Sequence, residues 1–267
     1  MTSIAKLMSL KGRQALVTGA TGTIGRIITS TLAELGADIW LVDRPGVEFQ
    51  PLIKELEARW DVSIEAFECN LELQDERDEL FKQITKKGIG LNILVNNAAF
   101  VGMSDLQGWV TDFELQTVET WRRALEVNLT AIFDLTKNLT PLLKQSEGAN
   151  IVNIASIYGS FGPDYSLYEG TEMGNPAAYA ASKGGLIQLT RWLSTTLAPN
   201  VRVNSISPGG VFGNQPEAFV ERYKVRTPLA RMATEDDFRG AIAYLASDLS
   251  LYVTGQDLAV DGGWGVW

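Results

Sequence analysis

One short segment of the chain, YAASK, places a tyrosine and a lysine where they could move a proton together. Tyr179 and Lys183 are four positions apart, a spacing that puts both side chains on one face of a helix. A free phenol has a pKa of about 10 and is a poor base at neutral pH, but a neighbouring ammonium favours the phenolate. The pair is therefore a candidate general acid/base. Since this spacing also arises often by chance, it needs support from the rest of the sequence.

The amino-acid composition excludes several other catalytic arrangements. The chain contains no histidine and a single cysteine, Cys69. A Ser-His-Asp triad, a histidine-bearing zinc site, a zinc alcohol-dehydrogenase site and an internal disulfide are all impossible. We expect Cys69 to be a small buried residue and predict no metal site. In an enzyme of this composition, acid/base work falls to tyrosine, lysine or a carboxylate.

A glycine-rich segment near the amino terminus is typical of a dinucleotide-binding turn. In TGATGTIG, which follows an apolar run directly, glycines occupy positions 19, 22 and 25. Glycine permits a tight turn and a close approach of backbone to a pyrophosphate, and the helix that follows presents unpaired N–H groups to the phosphates. The strand–turn–helix context, more than the glycines themselves, predicts cofactor binding here.

The type of cofactor is indicated by the end of the next apolar run. Asp43 lies 18 positions beyond Gly25. A carboxylate there accepts hydrogen bonds from an adenosine ribose and repels a 2′-phosphate, which favours NAD over NADP. Arg44 follows directly, and its guanidinium could bind that phosphate. NADP therefore stays open as the less favoured alternative.

The order of apolar and amphipathic segments predicts the fold. Seven runs are typical of strands: 14–18, 38–43, 63–69, 91–96, 150–156, 201–207 and 256–260. Amphipathic segments lie between most of them, which implies right-handed crossovers and a parallel sheet covered on both faces. We predict one Rossmann-type, doubly wound α/β domain of about seven strands spanning residues 1–267. Two long loops, 98–117 and 157–176, follow strand carboxyl ends, where such folds bind ligands.

Charge and hydropathy bear on partners and location. The net charge is −9 and no basic tract is present, so a nucleic-acid partner is not expected. No apolar run is long enough to cross a bilayer, and the amino terminus lacks the pattern of a signal peptide. We therefore expect a cytoplasmic protein that does not associate with membranes.

The order of the motifs resembles that of short-chain dehydrogenases/reductases. TGATGTIG, NNAA (96–99), VNLT (127–130), Ser156, YAASK, ISPGG (206–210) and VTGQDLAVDGG (253–263) follow one another as in that family, over essentially the whole chain. The resemblance makes Tyr179 the general acid/base and Lys183 the residue that lowers its pKa and binds the nicotinamide ribose. It makes Ser156, which ends the fifth predicted strand, the residue that orients the substrate oxygen. Asn128 would hold a proton-relay water.

The same resemblance and the motifs above predict the residues that bind the cofactor. They are Gly19, Thr21, Gly22, Thr23, Ile24, Gly25, Asp43, Arg44, Asn70, Leu71, Asn97, Ala98, Ala99, Tyr179, Lys183, Pro208, Gly209 and Val211. Asn96 would also flank the adenosine side. Asn70 occupies the place of a frequent aspartate near adenine, and its side-chain oxygen can still accept a hydrogen bond.

Two departures from the single-domain members of the family bear on the substrate. Thr23 replaces a frequent glycine, and the resulting spacing is more typical of extended members, many of them sugar-nucleotide epimerases or dehydratases. The stretch between Ser156 and Tyr179 is also longer than usual. It carries Tyr158, Tyr168 and Glu169, which we predict as substrate contacts, because aromatic faces and carboxylates suit a polyhydroxylated ring. A solvated acidic loop is the alternative interpretation.

Further expectations concern the carboxyl-terminal third. The segment 209–232 should form a mobile lid, in which Arg222 or Arg226 meets an anionic group of the substrate or lies in a salt-bridged helix surface. Segments within 156–223 resemble flagellin-modification and sugar-processing oxidoreductases, which favours a sugar-like or amino-sugar substrate. The resemblance also implies a homo-oligomer, a tetramer or a dimer, with the tail VDGGWGVW near a subunit interface.

These observations predict an NAD(H)-dependent oxidoreductase that interconverts a secondary alcohol and a ketone. One alternative is a sugar-nucleotide epimerase or dehydratase with tightly bound NAD, as the glycine spacing suggests. Another is a cofactor-sensing protein without catalytic activity. Such proteins often lack the tyrosine or the lysine, and this chain has both.

Overall fold

A parallel sheet forms the centre of the computed structural model, which describes residues 1–100 and 106–267. Within those residues the sheet has seven strands in the order β3-β2-β1-β4-β5-β6-β7, and every neighbouring pair is parallel. The strands are β1 Gln14–Thr18, β2 Asp38–Asp43, β3 Ile64–Glu68, β4 Ile93–Asn96, β5 Asn150–Ile154, β6 Arg202–Pro208 and β7 Asp257–Val260. The predicted Rossmann-type sheet is confirmed.

Helices occupy the connections between the strands. In chain order the α-helices of the described residues are α1 Ile4–Met8, α2 Thr23–Glu34, α3 Gln50–Arg59, α4 Gln74–Lys86, α5 Val118–Leu125, α6 Ala131–Lys144, α7 Ala177–Leu197, α8 Glu217–Arg226 and α9 Arg239–Ala246. A π-helical turn, Glu126–Thr130, joins α5 to α6 without a break. None of these helices has the length and apolar character needed to span a lipid bilayer.

Two apolar layers cover the sheet, one on each face. Because successive side chains of a strand point to opposite faces, Leu16 and Val17 of β1 enter different clusters. Val17 packs in the layer contributed by α2, α3 and α9, and Leu16 packs in the layer contributed by α4, α6 and α7. This division explains why the strand sequences are almost continuously apolar rather than alternating.

The sheet order reverses direction between β1 and β4. The chain proceeds outward from β1 through β2 to β3, then returns to pair β4 with the other side of β1. The connections that leave the carboxyl ends of β1 and β4 therefore go to opposite faces, which opens a crevice between them. The residues that follow β1, β4 and β5 all meet at this edge.

The predicted element boundaries differ from the structure in a few places. The fifth strand ends at Ile154, so Ser156 lies two residues beyond it, where its side chain accepts a hydrogen bond from Tyr158 N at 3.2 Å and begins a 3₁₀ turn. Of the two predicted loops, 157–176 contains two such turns, and 98–117 includes residues 101–105, which lie outside the described residues.

The turn between β1 and α2 accepts only glycine at two positions. Gly19 has φ +62°, and a Cβ there would lie 2.8 Å from the Cα of Ala98. A Cβ on Gly25 would lie 1.9 Å from the carbonyl oxygen of Gly19, closer than any non-bonded contact allows. The first turn of α2 is therefore pressed directly against the end of β1.

Gly25→Ala should lower the free energy of unfolding by about 1–3 kcal/mol, because the added methyl overpacks a backbone contact that cannot yield. Gly240→Ala is the matched control, since nothing lies within 4 Å of a Cβ built on this residue of α9. We expect that change to be neutral or to stabilise by about 0.5–1 kcal/mol. Urea titration of both variants measures the difference, and equal effects would contradict the close contact.

Candidate active site

A cavity of about 980 Å³ runs along the carboxyl edge of the sheet. It begins beside the ends of β2 and β3, crosses the crevice between β1 and β4, and reaches the residues that follow β5 and β6. All eighteen residues predicted to bind the cofactor line this cavity. Their common location follows from the topology, because each lies at the carboxyl end of a strand, just after it or in the helix that follows.

Asn96 is the exception among the residues considered for the adenosine side. It is buried, it does not line the cavity, and its side-chain Nδ2 donates to Asn153 Oδ1 at 2.8 Å. The next residue, Asn97, lies in the cavity wall and donates to the carbonyls of Thr18 and Gly19 at 2.9 and 3.0 Å. Asn96 therefore braces β4 against β5, while Asn97 shapes the glycine turn.

The glycine turn leaves the amino end of α2 open toward the cavity. Gly22 precedes the helix and provides no capping side chain, so the first N–H groups of α2 have no side-chain acceptor there. Arg26 Nε donates to the carbonyl of Thr21 at 3.1 Å and steadies the turn. Free N–H groups at a helix amino end, together with its dipole, form an anion-binding site suited to a pyrophosphate. The chain thus fits a dinucleotide at this place.

Asp43 stands at the rim of the cavity in a fixed orientation. Its Oδ2 accepts from the backbone N of Thr21 at 2.9 Å and from Thr21 Oγ1 at 2.7 Å. Its Oδ1 accepts from the backbone N of Arg44 at 2.8 Å. The Arg44 side chain is exposed and also lines the cavity. Both groups that could decide between NAD and NADP are therefore at the same rim.

Ser156, Tyr179 and Lys183 meet at the other end of the cavity. Helix α7 positions Tyr179 and Lys183 one turn apart, as the spacing predicts, and Lys183 Nζ lies 5.7 Å from the centroid of the Tyr179 ring. The side chain of Ser156 interacts with the phenol of Tyr179 and acts to lower its pKa. Lys183 is buried, with 2% of its surface exposed, and its Nζ donates to the carbonyl of Ile154 at 2.7 Å.

The electrostatics of this group differ in one respect from the prediction. Burial raises the pKa of Tyr179 above its ordinary value, and the interaction with Ser156 acts in the opposite direction. Burial also lowers the pKa of Lys183 from 10.5 to about 8. We expected the ammonium to lower the pKa of Tyr179, but Lys183 Nζ donates to Ile154 rather than to the phenol. Ser156 is thus the side chain that favours the phenolate.

Asn128 lies next to the catalytic group but does not line the cavity. It is buried in the π-helical turn, where Nδ2 donates to Ser182 Oγ at 3.0 Å and Oδ1 accepts from the backbone N of Phe100 at 2.5 Å. Ser182 Oγ in turn donates to the carbonyl of Tyr179 at 2.8 Å. These contacts connect Asn128 with α7, and its predicted contact with a proton-relay water stays a prediction.

The three predicted substrate residues do not line the cavity. The hydroxyls of Tyr158 and Tyr168 are 2.6 Å apart and bonded to each other, and Tyr168 packs against Phe219 in an aromatic cluster. Glu169 is exposed, and its backbone carbonyl accepts from Arg222. Aromatic burial and the hydroxyl pair hold both tyrosines away from the cavity surface, so contact with a substrate stays a prediction.

The segment predicted as a lid packs against the insertion 157–176. Besides its bond to Glu169, Arg222 donates to the carbonyl of Leu167 at 3.4 Å, and Arg226 pairs with Asp164 at 3.6 Å. Arg226 therefore lies in an ion pair, which is the alternative considered above, whereas Arg222 binds backbone carbonyls of the insertion. Tyr223 Oη accepts from Gly210 N at 2.6 Å and fixes the start of the segment. Closure over a ligand stays a prediction.

Several residues of the cavity wall were not predicted from the sequence. They include Cys69, Glu72, Phe100, Leu106, Gln107, Arg123 and Val127. Glu72 lies two residues after Asn70, and Arg123 lies five residues before Asn128, so proximity to predicted residues was the available signal. Cys69 is buried as expected, and burial raises its pKa to about 12, which keeps the thiol protonated.

The chain is similar to known reductases along almost its whole length. A family model described as enoyl-(acyl carrier protein) reductase matches residues 19–265. The 3-oxoacyl-(acyl-carrier-protein) reductase of Aquifex aeolicus is 32% identical over 96% of this chain and 98% of its own length. Both matches include the glycine turn and the YAASK segment.

Two solved structures share the fold and differ in their nucleotide. A short chain dehydrogenase from Leptospira borgpetersenii with bound NAD⁺ has a TM-score of 0.82 and 30% identity, and covers 99% of this chain and 96% of its own. A gluconate 5-dehydrogenase from Burkholderia cenocepacia in complex with NADP and tartrate has a TM-score of 0.83 and 25% identity, and covers 99% and 100%. Such neighbours bind NAD or NADP, so likeness alone leaves the nucleotide undetermined.

Lys183→Met should stabilise the protein near neutral pH, because it removes a buried ammonium. In the folded wild type the pKa of Lys183 is about 8, below its ordinary value of 10.5. Between these two pH values Lys183 is therefore more protonated in the unfolded chain than in the folded protein. Wild-type stability therefore rises as pH increases between these two values. At pH values below the folded pKa, the free energy of unfolding of the variant should exceed that of the wild type by about 3 kcal/mol. This difference should shrink over the same pH interval.

Urea titration near neutral pH and again above the ordinary lysine pKa measures this change. Lys82→Met, at an exposed lysine of α4 that pairs with Glu79, is the control and should show no such trend. An advantage for Lys183→Met that is independent of pH would contradict the lowered pKa of Lys183.

Proposed function

Because this chain belongs to the short-chain dehydrogenase/reductase family, we propose that it interconverts a secondary alcohol and a ketone with NAD(H) as the hydride carrier. It is an oxidoreductase, as its relatives are. The observation that supports the specific reaction is the meeting of Ser156, Tyr179 and Lys183 at one end of a cavity lined by every predicted cofactor residue. No second group of acid/base side chains of this kind lies in the part of the cavity formed by described residues.

The proposed mechanism assigns one task to each side chain. When bound, the nicotinamide would accept the hydride in oxidation and donate it in reduction. In the oxidative direction Tyr179 Oη takes the proton of the substrate hydroxyl, and Ser156 Oγ orients the same oxygen by a hydrogen bond. Lys183 holds positive charge beside the phenol and would contact the nicotinamide ribose. In the reductive direction Tyr179 returns the proton to the carbonyl oxygen.

Dinucleotide binding is supported by the turn itself. A Cβ at Gly19 or Gly25 would collide with neighbouring backbone, so the turn keeps the space in which a pyrophosphate approaches the amino end of α2. We propose NAD rather than NADP, because the Asp43 carboxylate is fixed at the rim by Thr21 and would repel a 2′-phosphate. Arg44 is the feature that favours NADP as the second choice.

We further propose a sugar or amino-sugar derivative as the substrate. The insertion 157–176 joins the Ser156 turn to the helix of Tyr179, so it is adjacent to the place where a substrate must lie. The likeness to a gluconate 5-dehydrogenase supports this class. A 3-oxoacyl thioester is the second candidate, because the relative from Aquifex aeolicus is named for that substrate.

The proposal extends to the domain organisation, the oligomeric state and the location of the protein. We propose that the chain forms one domain around the common sheet, and that Asn128 acts through a water that it would hold beside Tyr179. We propose a homotetramer or a homodimer in the cytoplasm, with the tail VDGGWGVW, residues 260–267, near the interface. Trp264 of this tail is buried in its own subunit, whereas Val266 and Trp267 are exposed.

A substrate screen tests the proposed reaction. Sugars, polyols, sugar acids and 3-oxoacyl thioesters are offered with NAD(H) and with NADP(H), and nicotinamide absorbance reports turnover. Turnover of a sugar derivative with NAD supports the full proposal, and turnover of thioesters alone would replace the substrate class. NAD that copurifies and never exchanges would favour the epimerase or dehydratase alternative.

Tyr179→Phe should reduce turnover by roughly 10²- to 10⁴-fold, since it removes the proton-transferring hydroxyl and leaves the ring. Binding of NADH, measured by fluorescence titration, should change little, because the phenol is not needed for the glycine turn or for Asp43. Tyr244→Phe, at an exposed tyrosine of α9 outside the cavity, is the control. Retained activity of Tyr179→Phe would remove this residue from the mechanism.

Asp43→Asn should shift the preference between nucleotides toward NADP. A hydrogen bond to a charged group contributes about 1.5–3 kcal/mol, so the ratio of kcat/KM for NAD over NADP should fall by roughly 10- to 100-fold. Asp38→Asn, at the opposite end of β2 and outside the cavity, should leave the ratio unchanged. A ratio that is the same in Asp43→Asn and wild type would contradict the role of this carboxylate.

A further inference from the structure

An ion pair lies in the wall of the cavity, at the loop that follows β3. Glu72 lies in the loop after β3, and Arg123 lies on α5. Arg123 Nε donates to Glu72 Oε1 at 2.7 Å and Arg123 Nη2 donates to Glu72 Oε2 at 3.2 Å, so the guanidinium is held by both carboxylate oxygens. Both residues line the cavity. The side chain of Arg123 is 39% exposed and that of Glu72 is 23% exposed.

The same guanidinium covers an aromatic ring. Its central carbon lies 5.1 Å from the centroid of the Phe100 ring, a cation–π geometry. Phe100 is further held by Trp109, which meets it edge-on at 5.1 Å, and by Asn128, which accepts its backbone N–H. Arg123 therefore connects the loop after β3 with the residues that follow β4, across the cavity wall.

The position of this pair relative to a bound dinucleotide follows from the strand order. A ribose at Asp43 places the adenine farther along the carboxyl edge, toward β3. Asn70 and Leu71, which directly precede Glu72, form one side of that space. An adenine bound there would lie between them and the wall that contains Arg123 and Phe100.

The loop that carries Glu72 is itself firmly anchored. Arg77, with 1% of its surface exposed, donates Nη1 to the carbonyl of Leu71 at 2.5 Å. Its other nitrogens pair with Glu126 and with Asp134, both at 2.9 Å. Because Leu71 is fixed by this buried network, the neighbouring Glu72 meets Arg123 from an anchored segment of the chain.

We propose that Arg123 and Phe100 form the outer wall of an adenine subsite, and that Glu72 is the positioning residue which holds the Arg123 guanidinium in that wall. A planar guanidinium restrained by two hydrogen bonds can stack on an adenine face with little further loss of freedom. The inference rests on the proposed dinucleotide function and adds to it the residues that determine recognition of the base.

Isothermal titration with ADP-ribose tests the wall without any turnover. Arg123→Met should weaken ADP-ribose binding by roughly 5- to 20-fold, the effect of losing a stacking cation. Glu72→Gln, which keeps Arg123 but loosens it, should weaken binding by roughly 2- to 5-fold, and Arg123→Lys should restore part of the loss. With NAD and substrate, the change should appear in KM for NAD more than in kcat.

Arg59→Met is the matched control. Arg59 also pairs with a glutamate, Glu55 at 3.3 Å, and also lies over an aromatic ring, Trp60 at 5.6 Å, but it lies outside the cavity. This change should leave ADP-ribose binding unaltered. Unchanged binding in both folded Arg123→Met and Glu72→Gln would overturn the inference and leave the proposed function standing. A wild-type protein that binds neither ADP-ribose nor NAD would overturn both.

Discussion

The hydrogen bond from the buried ammonium of Lys183 to the carbonyl of Ile154 is the interaction on which the rest of the site depends. A cation with so little contact with water needs a strong acceptor, and the end of β5 provides it. The bond sets α7 against β5. Tyr179 lies one helical turn before Lys183, and Ser156 lies two residues after Ile154, so this contact also brings the phenol and the serine hydroxyl together. The burial that lowers the pKa of the Lys183 ammonium, and so makes it a stronger acid, is thus inseparable from the geometry of proton transfer.

At the other end of the cavity, backbone rather than side chains determines the geometry. The glycine turn presses α2 against β1, and Asn97 and Asp43 each bind that turn from a neighbouring strand end. Three strands therefore share one connected set of hydrogen bonds around the place where a pyrophosphate would lie. The two ends have different physical requirements. The glycine turn needs close backbone contact without side chains, whereas the end with Lys183 needs a hydrogen-bond acceptor for a buried charge. The parallel sheet holds them in one cavity.

The seven strands and their parallel arrangement could be predicted from the sequence, because they depend on apolar periodicity and on the alternation with helices. The eighteen candidate cofactor residues that line the cavity could be predicted as well, since they belong to motifs with local spacing. The strand that was predicted to end at Ser156 ends two residues earlier, at Ile154, since pairing stops where the chain turns toward the cavity. Tyr158 and Tyr168 could not be placed, because each satisfies its hydroxyl with the other across ten residues. The pair of Glu72 and Arg123 escaped prediction for the same reason, as 51 residues separate its members.

The buried Arg77 has a consequence for attempts to redesign nucleotide preference. Exchanging the loop after β3 for that of a relative is an obvious route, since the loop carries Asn70 and Leu71. Here, however, one guanidinium ties Leu71 to Glu126 in the π-helical turn and to Asp134 in α6. A graft that extends into α4 and lacks an arginine at position 77 would leave the carboxylates of Glu126 and Asp134 without this cation. Arg77 thus couples the loop to the π-helical turn and to α6, and a grafted loop has to present its carbonyl at position 71 to the same guanidinium.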